Sequence, residues 1–408
     1  MVLSIMLSNV ISRPDYLKKL TGFQNNGLIK VIMGPRRCGK SFLLKLFQKD
    51  LLDRGVEPDH LISVDLDDLL LDSLREPKAL HSYVLERIKD KNTYYVFIDE
   101  VQLCPKFEQV LASLAKRTNI DLYVTGSNAY LLSGELATFL TGRYTKIEVY
   151  PLSFKEFRAA VIDDGLTAQE DFERYLQIGS FPALVRDRND PEHIAIYYSD
   201  LIQSIILKDI SWRLKLRDTE TLFKLCCFLA SNIGSAFSST NIINVLKTQK
   251  VEISRLTLST YLNALIDSYF IERVPRFDVR GKATLRTEEK YYLSDTGFRH
   301  HLITSAIKDY GHLLENIVFL ELSRRFKNVR VGKNSQKEID FVVQTHDGFA
   351  YYQVAQTVLD PNTLDRELSA FEGIKDAYPR FLLTMDTLGK GRNFDGVKQL
   401  NIIEWLLE

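Results

Sequence analysis

Only four cysteines occur, at positions 38, 104, 226 and 227, and their spacing fits no metal-ligand pattern. Cys226-Cys227 sits in an apolar helical run, so reduced core thiols of a cytoplasmic protein are the plain reading. Charge of neither sign is in excess: 53 Lys and Arg face 53 Asp and Glu. No global field therefore recruits nucleic acid, and any such binding must come from a local patch. No apolar run approaches the roughly 20 residues a membrane span needs, so no membrane partner is expected. Near the N-terminus, Asn9, Ser12 and Arg13 come too early for a signal peptide. Internal repeats and low-complexity tracts are absent from the sequence. The 408 residues suffice for two or three domains with full cores.

Against these absences stands Gly34-Pro35-Arg36-Arg37-Cys38-Gly39-Lys40-Ser41, which follows the β-like run Leu28 to Met33 and opens a helix. The pattern is that of a phosphate-binding P-loop. Gly34 and Gly39 let the backbone turn tightly enough for successive N–H groups to face a phosphate. Lys40 then reaches the β- and γ-phosphates of ATP, and the Ser41 hydroxyl holds Mg²⁺. The cradle extends to Phe42, which with Leu43, Leu44, Leu46 and Phe47 is expected on one apolar side of the helix. The N-terminus of that helix favours anions.

Tyr94 to Ile98 is a second apolar run, ending in Asp99-Glu100 in the manner of a Walker B strand. Asp99 is expected to serve the metal, and Glu100 to polarise the water that attacks the γ-phosphate. The P-loop strand and this one belong to the same sheet, one strand apart. Leu61 to Val64, Ile120 to Val124 and Thr145 to Val149 supply the remaining strands, alternating with helical patterns. That alternation predicts an α/β fold with a five-stranded parallel sheet. After the Ile120 strand, Ser127 or Asn128 either senses the γ-phosphate and aligns the water or simply caps a turn. Arg143 is either an arginine finger working across a subunit boundary or a surface residue paired with a local carboxylate.

These residues resemble the prokaryotic AAA-type ATPases that join an N-terminal P-loop domain to a C-terminal domain named DUF4143. The resemblance is carried by GPRRCGKS at 34–41, YYVFIDEVQ at 94–102, YVTGSNAYLLSG at 123–134 and LTGRYTKIEVYPLSFKEF at 140–157. It continues in IGSFPALV at 178–185, YYSDLIQSIILKDI at 197–210, KYYLSDTGFRH at 290–300, GHLLENIVFLEL at 311–322 and KEIDFVV at 337–343. It implies ATP binding and hydrolysis, a helical lid, a winged-helix module and a C-terminal nuclease-like fold.

The expected layout is an ATPase domain over 1–150, a helical lid over 151–230, a winged helix-turn-helix over 231–300 and a restriction-endonuclease-like α/β domain over 301–408. Ser153 to Phe157 opens the helical region. In the winged-helix segment Arg276, Arg280, Lys282 and Arg286 make a basic hairpin suited to DNA phosphates. The outward helix positions Ser259, Thr260, Asn263 and Asp267 lack Arg and Lys, which speaks against base reading. In the last domain Glu315 and Asp340 are placed as metal-binding acids, but the next strand offers Gln353 and Ala355 where an acid and a lysine are needed. Cleavage is therefore not expected unless Lys337 or Lys333 reaches in. Two functions remain open: an oligomeric ATPase, ring-forming in one version, that remodels or moves on DNA, and a nucleotide-controlled switch for a protein partner. An ATP-regulated nuclease is a further alternative.

Overall fold

Five short runs rich in Val, Ile and aromatic residues become the strands Ile29–Met33 (β1), Leu61–Asp65 (β2), Tyr94–Asp99 (β3), Ile120–Gly126 (β4) and Tyr144–Glu148 (β5). β1, β3 and β4 are almost wholly buried along their length, which is why they read as continuous apolar runs rather than alternating ones. The computed structural model describes residues 10–129, 140, 142–216, 219–248, 250–303 and 310–408. It divides into two compact units, one of residues up to Pro151 with Asp267–Tyr269, the other of Leu152–Ile266 with Phe270–Glu408.

In the first unit the strands pair in the order β2-β3-β4-β1-β5, every pair parallel. The expected five-stranded parallel sheet is present, but its neighbours differ from the linear reading. β4, which comes later in the chain, lies between β1 and β3. The carboxyl ends of these three strands share one edge, and in open parallel sheets ligands bind in the crevice beyond such ends. On one face Val31, Val96, Ile98, Leu122 and Val124 join Leu80 and Val84 of helix Pro77–Glu86 and Leu111 and Leu114 of helix Phe107–Leu114 in one core. On the other, Phe47 of helix Lys40–Asp53 packs on Phe97 and Tyr123, whose rings stack 5.1 Å apart.

The second unit begins with helices Phe154–Ala160 and Ala168–Ile178, each opened by a capping box, Ser153 with Glu156 and Thr167 with Glu170. Helix Pro191–Gln203 runs into a π-helical stretch, Ser204–Ser211, where the Ser211 hydroxyl donates to the Ile206 carbonyl at 2.6 Å. A nine-stranded sheet follows: Ala236–Phe237 (β6), Ile271–Asp278 (β7), Ala283–Leu293 (β8), Val329–Asn334 (β9), Lys337–Thr345 (β10), Gly348–Ala355 (β11), Arg380–Thr384 (β12), Asn393–Phe394 (β13) and Val397–Asn401 (β14). Its order is β13-β14-β12-β11-β10-β9-β7-β8-β6. The hairpin β7–β8, read from sequence as a basic hairpin suited to DNA phosphates, is thus an inner part of this sheet, because β7 also pairs in parallel with β9.

Three of the motifs that carry the family resemblance meet inside this unit. Asp295, fully buried, accepts from the Ser180 N–H at 2.7 Å, the Gly297 N–H at 2.8 Å, the Ser180 hydroxyl and the Tyr198 hydroxyl. Gly297 has to be glycine: a Cβ there would stand 1.9 Å from the Tyr198 hydroxyl oxygen. These motifs therefore build a buried polar clamp rather than a reactive surface.

Candidate active site

The loop between β1 and helix Lys40–Asp53 wraps tightly because three of its residues take left-handed backbone angles: Gly34 at φ 155°, Arg37 at 66° and Gly39 at 98°. A Cβ on Gly34 would lie 2.0 Å from the Val149 carbonyl oxygen, so the loop closes against the end of the β5 segment only without a side chain there. Lys40 is buried, and its ammonium donates to the carbonyls of Gly34 at 3.0 Å and Pro35 at 2.9 Å. Pro35 is buried, Arg36 half-buried and Arg37 exposed. The Cys38 thiol is buried and donates to the Val149 carbonyl at 3.2 Å. Burial pushes that thiol above its ordinary value, which marks it as packing rather than reactive. Phe42 departs from expectation: it is 51% exposed in the first helical turn, while Leu43, Leu44, Phe47 and Leu51 form the buried stripe. With 3.6 residues per turn, position 42 falls outside the stripe set by its neighbours.

Beside the loop, the interposed β4 brings its own end residues to the Asp99-Glu100 pair. The Thr125 hydroxyl donates to the Asp99 carboxylate and accepts from the Glu100 N–H at 2.9 Å. The Ser41 hydroxyl is hydrogen-bonded to Asp99 as well. Burial pushes the Asp99 carboxyl up, and the Glu100 and Asp65 charges add to this against the pull of the Ser41 and Thr125 hydrogen bonds. Glu100 has φ 50°, a left-handed angle uncommon outside glycine, and its carboxylate accepts from Ser127 at 2.8 Å and from the Gln102 amide. One hydroxyl and one half-buried carboxylate are hard oxygen donors, a set that fits Mg²⁺, which keeps several of its own waters. Asn128, half-buried, follows Ser127 at this edge.

Arg143 is exposed and immediately precedes β5, whose first residue pairs with Ile29 at the start of β1. The P-loop leaves the other end of β1. At about 3.3 Å per residue the two ends lie roughly 13 Å apart, so Arg143 stands at the sheet edge opposite its own P-loop.

The sequence reading used Arg13 only as a charge against a signal peptide and gave it no part in the site. It is 4% exposed and donates to the Cys38 carbonyl at 3.3 Å and the Tyr150 carbonyl at 2.9 Å, tying the P-loop to the segment after β5. No local spacing reveals a contact spanning 137 residues. Charge-assisted hydrogen bonds of this kind contribute about 1.5–3 kcal/mol. Arg13→Ala is accordingly expected to lower the unfolding midpoint and weaken ATP binding about tenfold; an unchanged nucleotide titration would refute the link.

In the second unit the basic hairpin is already engaged. Arg276 is ion-paired with Glu338, Arg280 donates to Asn334 at 2.9 Å, and Lys282 donates to Asp376 at 2.7 Å and the Tyr351 hydroxyl at 2.8 Å. The side chain of Arg286 lies outside the described residues. The linear reading missed this because the acids and amides come from β9, β10 and the segment before β12, strands apart in sequence but alongside in the sheet.

Glu315, Asp340 and Gln353 converge as expected, on a cleft of about 440 Å³ also lined by Glu338, Lys337, Arg366 and Glu367. The expectation that no ammonium serves this place is corrected by Lys290, on β8. Its Nζ lies 2.9 Å from Glu315 and 2.7 Å from Glu338. Burial alone would lower the Lys290 ammonium, but the charges of Glu315, Asp340 and Glu338 outweigh it and hold it above its ordinary value. Lys337, by contrast, is paired with Glu372.

Residues 26–158 match the family model of an AAA domain, and residues 169–310 match that of a domain of unknown function, DUF8612. The second match replaces the DUF4143 assignment expected from sequence. Among curated relatives, an uncharacterised protein of Haemophilus influenzae is 36% identical over 99% of this chain and 100% of its own length. An uncharacterised protein of Methanocaldococcus jannaschii is 30% identical over 85% of this chain and 79% of its own. Among solved structures, a Walker-type ATPase of Pyrococcus abyssi aligns with a TM-score of 0.51 at 16% identity, covering 72% of this chain and 96% of that one, and so shares the fold. Among the described residues no helix is long and apolar enough to cross a membrane. The chain belongs, over its whole length, to one family with the Haemophilus influenzae protein, and it is an AAA-type chain in which an AAA domain is followed by a domain of unknown function.

Proposed function

We propose that the first unit binds ATP with Mg²⁺ and hydrolyses it, and that this turnover sets the state of the second unit. The observation that carries this is the meeting of the P-loop, Ser41 with Asp99, and Glu100 with Ser127 at one edge of the sheet. Residues 34–42 cradle the phosphates, with Lys40 as the cation inside the loop. Mg²⁺ held by Ser41 and Asp99 would neutralise charge on the β- and γ-oxygens. Glu100, steadied by Ser127 and Gln102, orients the attacking water and takes its proton, and Asn128 senses the γ-phosphate beside it. Arg143, at the far edge, serves only a neighbouring copy, so a complete site calls for a homo-oligomer.

Two outputs were open, work on DNA and a nucleotide-controlled switch for a protein partner. The internal pairing of Arg276, Arg280 and Lys282 favours the switch, since phosphates would have to compete with carboxylates already in place. Turnover measured with and without single-stranded, duplex and branched DNA is expected to be the same, while mass in solution rises with a slowly hydrolysed ATP analogue. DNA-stimulated turnover would restore the DNA reading. Arg143→Ala is expected to cut turnover by about 10³-fold with affinity spared. Mixing it with Lys40→Ala should recover activity; no recovery in co-assembled mixtures would remove Arg143 from the site.

A further inference from the structure

The convergence of Glu315, Asp340 and Gln353 invites a divalent metal, as in phosphodiester-cleaving centres where carboxylates hold Mg²⁺ that activates water. The residues present do not fit one. Glu315 and Glu338 both contact the Lys290 ammonium, at 2.9 and 2.7 Å, and Glu315 also accepts from the Tyr292 hydroxyl. Both ends of Gln353 are already bonded: its carbonyl oxygen accepts from the Asp340 N–H at 3.2 Å, and its amide donates to Glu367 at 2.8 Å. One Asp340 oxygen accepts from the Val354 N–H at 2.8 Å. Glu338 is further held by Arg276. A dication entering here would meet Glu315 and Glu338 already paired with an ammonium that β8 holds in place.

We propose that Lys290 is the resident cation of this centre: its ammonium takes, between Glu315 and Glu338, the place a divalent metal would occupy, so the centre binds neither Mg²⁺ nor Mn²⁺ and does not cut nucleic acid. Lysine fits the role because a buried compact charge can satisfy two carboxylates at once. The cleft then serves to lock β8, β10 and helix Tyr310–Arg325 together. The proposal concerns the second unit alone and does not depend on ATP turnover in the first.

The test is a Mn²⁺ titration of the nucleotide-free full chain, followed by the electron paramagnetic resonance of free Mn²⁺. Wild type and Asp340→Asn are expected to give the same curve. Lys290→Met, which keeps the length of the side chain without its charge, is expected to bind one further equivalent at least about tenfold more tightly, and the double variant with Asp340→Asn to lose it. An equivalent bound by wild type and lost in Asp340→Asn would overturn the proposal, as would a folded Lys290→Met that gains none. Protein incubated with supercoiled DNA and Mn²⁺ supplies a second measurement, in which wild type is expected to leave the DNA intact. Metal-dependent nicking that survives Lys40→Ala and disappears in Asp340→Ala would also overturn it.

Discussion

Lys40→Ala should abolish tight ATP binding, whereas Glu100→Gln should leave binding intact and stop turnover. Lys40 is a buried cation whose hydrogen-bond partners are two carbonyls of its own loop, at 3.0 and 2.9 Å, so it is held where phosphate oxygens would lie. A charge-assisted contact is worth about 1.5–3 kcal/mol, and its loss should weaken binding by roughly 100-fold. Glu100→Gln is a different kind of change. The amide oxygen can still accept from Ser127, so the side chain should stay in place while its capacity to take a proton vanishes. A positioned general base contributes about 10²–10⁴-fold, which sets the expected fall in turnover. Equilibrium titration with a fluorescent ATP analogue separates the two variants from each other. Parental turnover in Glu100→Gln would remove Glu100 from its role.

Asp295→Ala should be the most damaging single change in the second unit. The side chain is fully buried and answers the N–H groups of Ser180 and Gly297 as well as two hydroxyls. Tyr198 also donates to the Ile178 carbonyl at 3.0 Å and so keeps a partner. The two backbone N–H groups lose theirs, at about 1–3 kcal/mol each, and a cavity adds to the loss. A total on the order of 3–5 kcal/mol is expected in urea unfolding. Nucleotide titration of the first unit provides an internal control, since Ser180, Tyr198 and Gly297, which donate to Asp295, all belong to the second unit. The sign of the pH dependence follows from the carboxyl itself. Burial holds it above its ordinary value against the opposing hydrogen bonds. Its stabilising contribution is therefore full below about pH 3.9 and declines as pH rises through the raised value. Asp295→Asn should flatten that slope; an unaltered slope would place the titration elsewhere.

Much of the first unit could be read from residue order, because its determinants are local. Apolar runs of five to seven residues can be buried only as inner strands. The Gly34 and Gly39 spacing describes a backbone turn that no distant residue is needed to form. What escaped was contact between segments far apart in the chain. The linear reading placed β3 near β1, but the crossover that returns β4 between them delivers Thr125 and Ser127 to the two carboxylates. Arg13 and Gln102 were passed over because neither lies in a recognisable spacing, although Gln102 falls within a quoted motif.

In the second unit the balance reverses. Residue types at 276–290 state a positive charge, and they state it correctly; they do not say what faces it. Sheet pairing supplies that, by setting β7 beside β9 and carrying Lys290 to Glu315 and Glu338. Charges act over a few ångströms in space whatever their distance along the chain. Periodicity and turn chemistry, which operate within a few consecutive residues, were therefore enough for the strands of the first unit and the phosphate loop, while the partner of each buried charge was settled only when the sheets assembled.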